Sequence, residues 1–310
     1  MKMTESQIPD HRRYWESLDF TITKTVIEEG DTSSWKPRIG ASGSISFSLL
    51  NLTGIVEDQL CNDVLLSKYF SSSPCEFLIG SAETEVDRQL EKCIQSCYPG
   101  QIAQFNMRVL LEPEYNGAGR GGLDVVEPDW ISLEFKLNLE TLLNAQPVYK
   151  WFNETKLTKA REMHSSGVRL FKEKRYLDSF HMFTQAYKLA VLARGIPEDN
   201  YAQSKEAEDL QNLCYNNLGA CHFQWKNFSN VVELSGLVLQ SQPSNVKTLY
   251  RRGVSYLSMQ EFDLAEKDLV HARQLEPNNR AVHEKLGLVQ QRKKSAELKL
   301  GSRISKMFSS

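Results

Sequence analysis

"KTLYRRGVSYLSMQEFDLAEKDL", residues 247–269, decides how the second half of this chain folds. Lys247 and Arg251 are four residues apart and share one face of a helix, whereas Arg252 points elsewhere. Gly253 sits in the middle of the same helical pattern, where glycine costs roughly 1 kcal/mol relative to alanine. A glycine kept at that cost calls for a packing reason.

The reason is a repeat. With Gly253 at position 8 of a 34-residue unit, Tyr256, Ala265, Leu269, Ala272 and Pro277 fall at positions 11, 20, 24, 27 and 32. That is the tetratricopeptide pattern of small and aromatic residues. Gly219 lies one unit earlier, with Leu218, Val231, Val238 and Pro243 in register. Gly167 precedes it by 34 residues plus an 18-residue insertion, with Leu170, Ser179, Phe183 and Ala186 in register. Three helical hairpins are expected, at about 160–193, 212–245 and 246–279, within a repeat region of residues 150–278. Each glycine is expected where the two helices of a hairpin cross closely. The insertion, "VLARGIPEDNYAQSKEAEDL", is expected to lengthen the connection between the first two hairpins. A capping helix and tail should occupy residues 279–310.

The chain has 310 residues, enough for two domains, and a net charge of −2. That balance conceals a division: residues 1–150 carry −9 and residues 151–310 carry +7. The basic half suggests an acidic partner there. Its charge is not interleaved with exposed aromatics, so no nucleic acid is expected. No apolar run approaches the roughly 18 residues of a membrane span. No signal-type apolar core stands near Met1, so the expected compartment is the cytosol or nucleus. Six cysteines (61, 75, 93, 97, 214 and 221) show no C-x-x-C pair and are expected as buried, reduced thiols. The six histidines show no metal spacing, and "GAGRGG" (117–122) is a lone glycine-rich stretch. No metal, no cofactor and no catalytic set is expected.

Residues 20–145 read as β-rich, after an N-terminal extension of residues 1–19. Ile45, Phe47 and Leu49 alternate with serines; Ala103, Phe105, Met107, Val109 and Leu111 alternate, as do Ile131, Leu133, Phe135, Leu137 and Leu139. Between these strands, Val86, Leu90, Cys93, Ile94 and Cys97 share one face of a helix that Pro99-Gly100 ends. The fold class is therefore α+β: an antiparallel sheet wrapped on a short helix, then an all-α tetratricopeptide solenoid.

The order of "TKTVIEEG", "KPRIGASGSISFSLLNLTG", "CEFLIG", "LEKCIQSCYPGQIAQF" and "WISLEFKLNL" resembles the FKBP immunophilin fold. An FKBP-type domain before three tetratricopeptide units resembles the large immunophilin co-chaperones, and among them those with a degenerate isomerase domain. By that resemblance Leu90 stands at the tryptophan floor of the prolyl pocket, and Val86-Asp87 at its valine-isoleucine wall. The pocket loop keeps Tyr115 and lacks its second tyrosine. Prolyl isomerisation of this kind needs an apolar, water-poor pocket, so the resemblance implies a domain that is not an enzyme. The alternative is a peptidyl-prolyl isomerase with an atypical pocket.

The resemblance also implies a partner. Lys247 and Arg251, at positions 2 and 6 of the third unit, and Asn217, at position 6 of the second, match the carboxylate clamp of such co-chaperones. The clamp holds the acidic C-terminal tail of heat-shock protein 90 or 70, which ends Glu-Glu-Val-Asp. Its first-unit lysine and asparagine are replaced by His164 and Val168, with Arg161 nearby as a substitute charge. The implied function is an adaptor linking heat-shock protein 90 to client proteins. A basic tail, "QRKKSAELKLGSRISKMFSS", is read as a solvated helix end.

Overall fold

The computed structural model describes residues 14–19, 21–54, 67, 69, 74–110, 130–194 and 201–308. Close backbone contacts divide the chain between Trp151 and Phe152.

The first unit carries six antiparallel strands among the described residues: β1 (Tyr14–Glu16), β2 (Ile22–Glu28), β3 (Ser42–Gly54), β4 (Cys75–Leu78), β5 (Ile102–Leu110) and β6 (Trp130–Leu143). Their order in the sheet is β1-β2-β5-β6-β3-β4. Helix α1 (Glu85–Ser96) lies between β4 and β5 in sequence. Thr84 caps it, accepting from the Asp87 N–H at 3.0 Å. Its apolar stripe, Val86, Leu90, Cys93 and Ile94, joins Cys97 and the inward residues of β5 and β6 in one core. The strict alternation in β5 and β6 is why that core forms: one face of each strand is wholly apolar.

Two features differ from the sequence reading. Tyr14–Glu16 adds an edge strand inside the expected N-terminal extension; three exposed residues carry no alternation to betray it. In β3 the expected inward Leu49 is 46% exposed. The β3–β6 register shifts between Leu49 and Asn51, and Leu52 packs on the core instead. Leu111 lies outside the described residues.

The second unit is a run of helices: α2 (Asn153–Lys172), α3 (Tyr176–Ala193), α4 (Tyr201–Gln224), α5 (Phe228–Ser241), α6 (Val246–Ser258), α7 (Phe262–Leu275) and α8 (Arg280–Phe308). Consecutive helices pack on one another, and α2 also touches α4, as α4 touches α6. The insertion mostly extends two helices: α3 runs on to Ala193 and α4 begins at Tyr201. Its polar stretch "AQSKEAEDL" consists largely of good helix formers.

The crossing glycines are unequal. A Cβ on Gly167 would lie 2.7 Å from the Phe183 ring, and one on Gly253 would lie 2.9 Å from Leu269 Cγ. At Gly219 the nearest atom, Leu234 Cβ, is 3.8 Å away, ordinary contact, so the expectation of a forced crossing fails there. The five described cysteines, Cys75, Cys93, Cys97, Cys214 and Cys221, are buried. Among the described residues no helix is long and apolar enough to cross a membrane.

Candidate functional site

The first helices of the three hairpins, α2, α4 and α6, carry the residues singled out by the repeat. Asn245 caps α6 by accepting from the Thr248 N–H at 3.1 Å. The helix start is thereby set, with exposed Lys247 one turn before Arg251.

Arg251 crosses from α6 to α4. Its Nη1 donates to the Asn216 carbonyl at 2.9 Å and to Asn216 Oδ1 at 2.8 Å. The same Oδ1 accepts from buried Thr248 Oγ1 at 3.0 Å. Both Nη1 hydrogens are thus used, and Nε and Nη2 have no protein partner among the described residues. No carboxylate pairs with this guanidinium there, and burial lowers its pKa. A half-buried cation held by neutral acceptors, its Nε–Nη2 edge free, is shaped for one bidentate carboxylate. Asn216 was not foreseen; its only signal was lying at position 5, beside Asn217.

Asn217 meets a different neighbour. Its Nδ2 lies 2.9 Å from His164 Nε2. Burial pushes His164 below the ordinary imidazole value, so at neutral pH the ring is uncharged and Nε2 accepts from the amide. The ring also tilts against Phe183, with centroids 5.5 Å apart. Val168 packs in the Phe183–Leu218–Cys221 cluster. Arg161, the expected substitute charge, is committed to two carboxylates: Nη2 is 2.6 Å from Glu206 and 3.5 Å from Glu154. The Glu206 bond raises its pKa. Arg252 points onto α7, where Nε and Nη2 grip buried Asp268 at 2.7 Å each.

The structure therefore brings Lys247 and Arg251 onto one helix, with Arg251 bound to Asn216 on α4. Asn217 and His164 form a neutral pair between α4 and α2.

In the first unit, Leu90 is 1% exposed and lies with Val86 and Tyr69 in the hydrophobic core. Asp87, beside Val86, is 5% exposed and accepts from the Ser67 hydroxyl. One turn on, Glu91 accepts from the Gly80 N–H at 2.8 Å and from the Tyr69 hydroxyl at 3.2 Å. Two buried carboxylates thus stand on the helix that carries the expected pocket floor. Burial and Glu91 raise the Tyr69 pKa, keeping its phenol protonated. Tyr115 lies outside the described residues. Among the described residues no cluster of His, Cys, Asp and Glu is arranged to hold a metal.

Residues 15–142 match the family model described as BDBT FKBP like N-terminal. The chain is 26% identical over 226 residues to human peptidyl-prolyl cis-trans isomerase FKBP4, covering 73% of this chain and 48% of that protein. It is 21% identical over 291 residues to FK506-binding protein 59 of Drosophila melanogaster, covering 94% and 60%. The chain spans about half the length of the curated relatives it matches. The crystal structure of residues 1–211 of CG17282 superposes with a TM-score of 0.50 at 24% identity, over 70% of this chain and 96% of that one, a likeness of fold. An FKBP-like N-terminal domain is therefore followed by a tetratricopeptide domain, and the chain is distantly homologous to the FKBP4 and FK506-binding protein 59 immunophilins.

Proposed function

We propose that this chain is a non-enzymatic co-chaperone adaptor of the cytosol or nucleus. Its tetratricopeptide groove takes the acidic C-terminal tail of heat-shock protein 90, with that of heat-shock protein 70 as a related ligand, and links the chaperone to client proteins. The observation that carries this reading is Arg251: a partly desolvated guanidinium whose Nε–Nη2 edge has no protein partner and no carboxylate among the described residues. An isolated charge taken out of water is costly, and an incoming carboxylate offsets that cost. Lys247, one turn earlier and exposed, adds attraction for the same acidic segment.

The test is calorimetric titration of the full chain with a peptide ending Glu-Glu-Val-Asp. Micromolar binding is expected. Arg251→Gln should weaken it by about 2–5 kcal/mol, and Lys247→Ala by less, with circular dichroism confirming that both variants fold. No binding by the unaltered chain at millimolar peptide would sink the reading. For the first domain, packing of Leu90 in the core and the Asp87 carboxylate beside it favour a domain without isomerase activity. A protease-coupled prolyl peptide assay should give the uncatalysed rate; a faster one would restore the enzyme.

A further inference from the structure

At the groove positions matched by the repeat, the positive charge without a carboxylate partner among the described residues lies on α6. On α6 stand Lys247, exposed, and Arg251, with only its Nε–Nη2 edge free. On α4 the matching repeat positions are Leu213, Asn217 and Ala220. Leu213 is exposed and apolar, and the Asn217 amide is engaged by His164. On α2 the charge of Arg161 is matched by Glu206 and Glu154, His164 is neutral at pH 7, and Val168 is apolar. A C-terminal aspartate carries two carboxylates on one Cα. Where the two are taken out of water, each needs hydrogen-bond donors of its own. Here one guanidinium edge and one exposed ammonium lie together on α6, and among the described residues the matching positions of α2, Arg161, His164 and Val168, supply no uncompensated cation.

We propose that this groove reads a single side-chain carboxylate, from an aspartate or glutamate within an acidic segment that also carries apolar residues, and does not require a free chain terminus. The carboxylate docks on the Nε–Nη2 edge of Arg251. Apolar neighbours in the segment lie against Leu213, Ala220 and Val168. The proposal rests on the groove reading above, and narrows the partner from a C-terminal tail to any exposed acidic–apolar stretch, an internal one included.

Three forms of the acidic peptide, titrated into the full chain, separate the two readings. They are the free acid, the same peptide as its C-terminal amide, and that amide with every Asp and Glu replaced by Asn and Gln. The free acid and the amide should bind within about threefold of each other, and the uncharged peptide at least tenfold more weakly. Arg251→Gln should reduce binding of the amide at least tenfold, and exposed Lys247→Ala severalfold. A tenfold or greater loss on amidation alone would overturn the inference and leave the groove reading standing. Equal binding of the uncharged peptide would overturn the inference by removing the carboxylate from recognition. No binding of any form would overturn both.

Discussion

Gly253 and Arg251 are two residues apart and answer to different demands. The glycine serves the hairpin: its added Cβ would lie 2.9 and 3.2 Å from Leu269 Cγ and Cδ2. Gly253→Ala and Gly167→Ala should each destabilise by about 1–3 kcal/mol, because the overpacking exceeds alanine's roughly 1 kcal/mol helix advantage. Gly219→Ala should be neutral or stabilising by up to about 1 kcal/mol, since nothing lies closer than 3.8 Å. Denaturant unfolding of the three variants checks this. The 34-residue spacing made the three glycines look alike; the residue opposite each, which decides the cost, was not legible from spacing. His164 carries the second prediction at this scale. Its folded pKa lies below 6.5 through burial, as does that of His222, so below that pH the unfolded chain binds more protons. Their contribution to stability is complete above pH 6.5 and is lost as pH falls through that value toward the folded pKa. The melting temperature should fall between pH 7 and pH 5.5, and His164→Gln should flatten that fall. An unchanged slope would show that His164 stays neutral in both states or titrates alike in them.

At the scale of the elements, the repeat has a signature that residue types did not display. Lys174, Lys226 and Gln260 all have positive φ, at 65°, 56° and 66°. All three occupy position 15 of their units, at the end of the first helix. Each hairpin closes the same way: the N–H of residue 175, 227 or 261 reaches back to the carbonyl of Leu170, His222 or Tyr256 at 2.9–3.0 Å. This is a left-handed helix end, for which glycine is the ordinary residue. A side chain there costs about 1–2 kcal/mol, part of which glycine returns through its freer unfolded state. Gln260→Gly should therefore raise stability by about 0.5–1 kcal/mol, and Gln260→Val should lower it, measured by thermal unfolding. The turns were expected, but their backbone was hidden because lysine and glutamine stand where glycine would have announced it. The insertion was expected as a longer connection because of Gly195 and Pro197, which lie outside the described residues, yet its residues from Tyr201 favour helix and add turns to α4.

For the whole molecule, the alternation in β5 and β6, the stripe on α1 and the repeat were all legible, because each is a periodicity. The candidate site was legible only in part. Lys247, Arg251, Asn217 and His164 were named from repeat position, but Asn216 was not, and the Arg251–Asn216 and Asn217–His164 contacts run from one helix to the next, where periodicity says nothing of side-chain reach. The charge division was also plain: residues 151–310 carry +7, and an acidic peptide should be drawn to that half. How far affinity depends on salt then distinguishes diffuse attraction from a built contact. Lys247 is exposed and lies within reach of mobile ions, whose screening length is about 10 Å at 0.1 M salt. The free edge of Arg251 is partly withdrawn from water and is screened less. Raising sodium chloride from about 0.05 to 0.5 M should therefore weaken peptide binding severalfold and leave a substantial remainder. Lys247→Ala should reduce the salt slope, whereas Arg251→Gln should remove most of the remainder at high salt. Isothermal titration at four salt concentrations measures both. If binding vanished at high salt in the unaltered chain, the attraction would belong to the surface as a whole, and the half-buried guanidinium would not be its anchor.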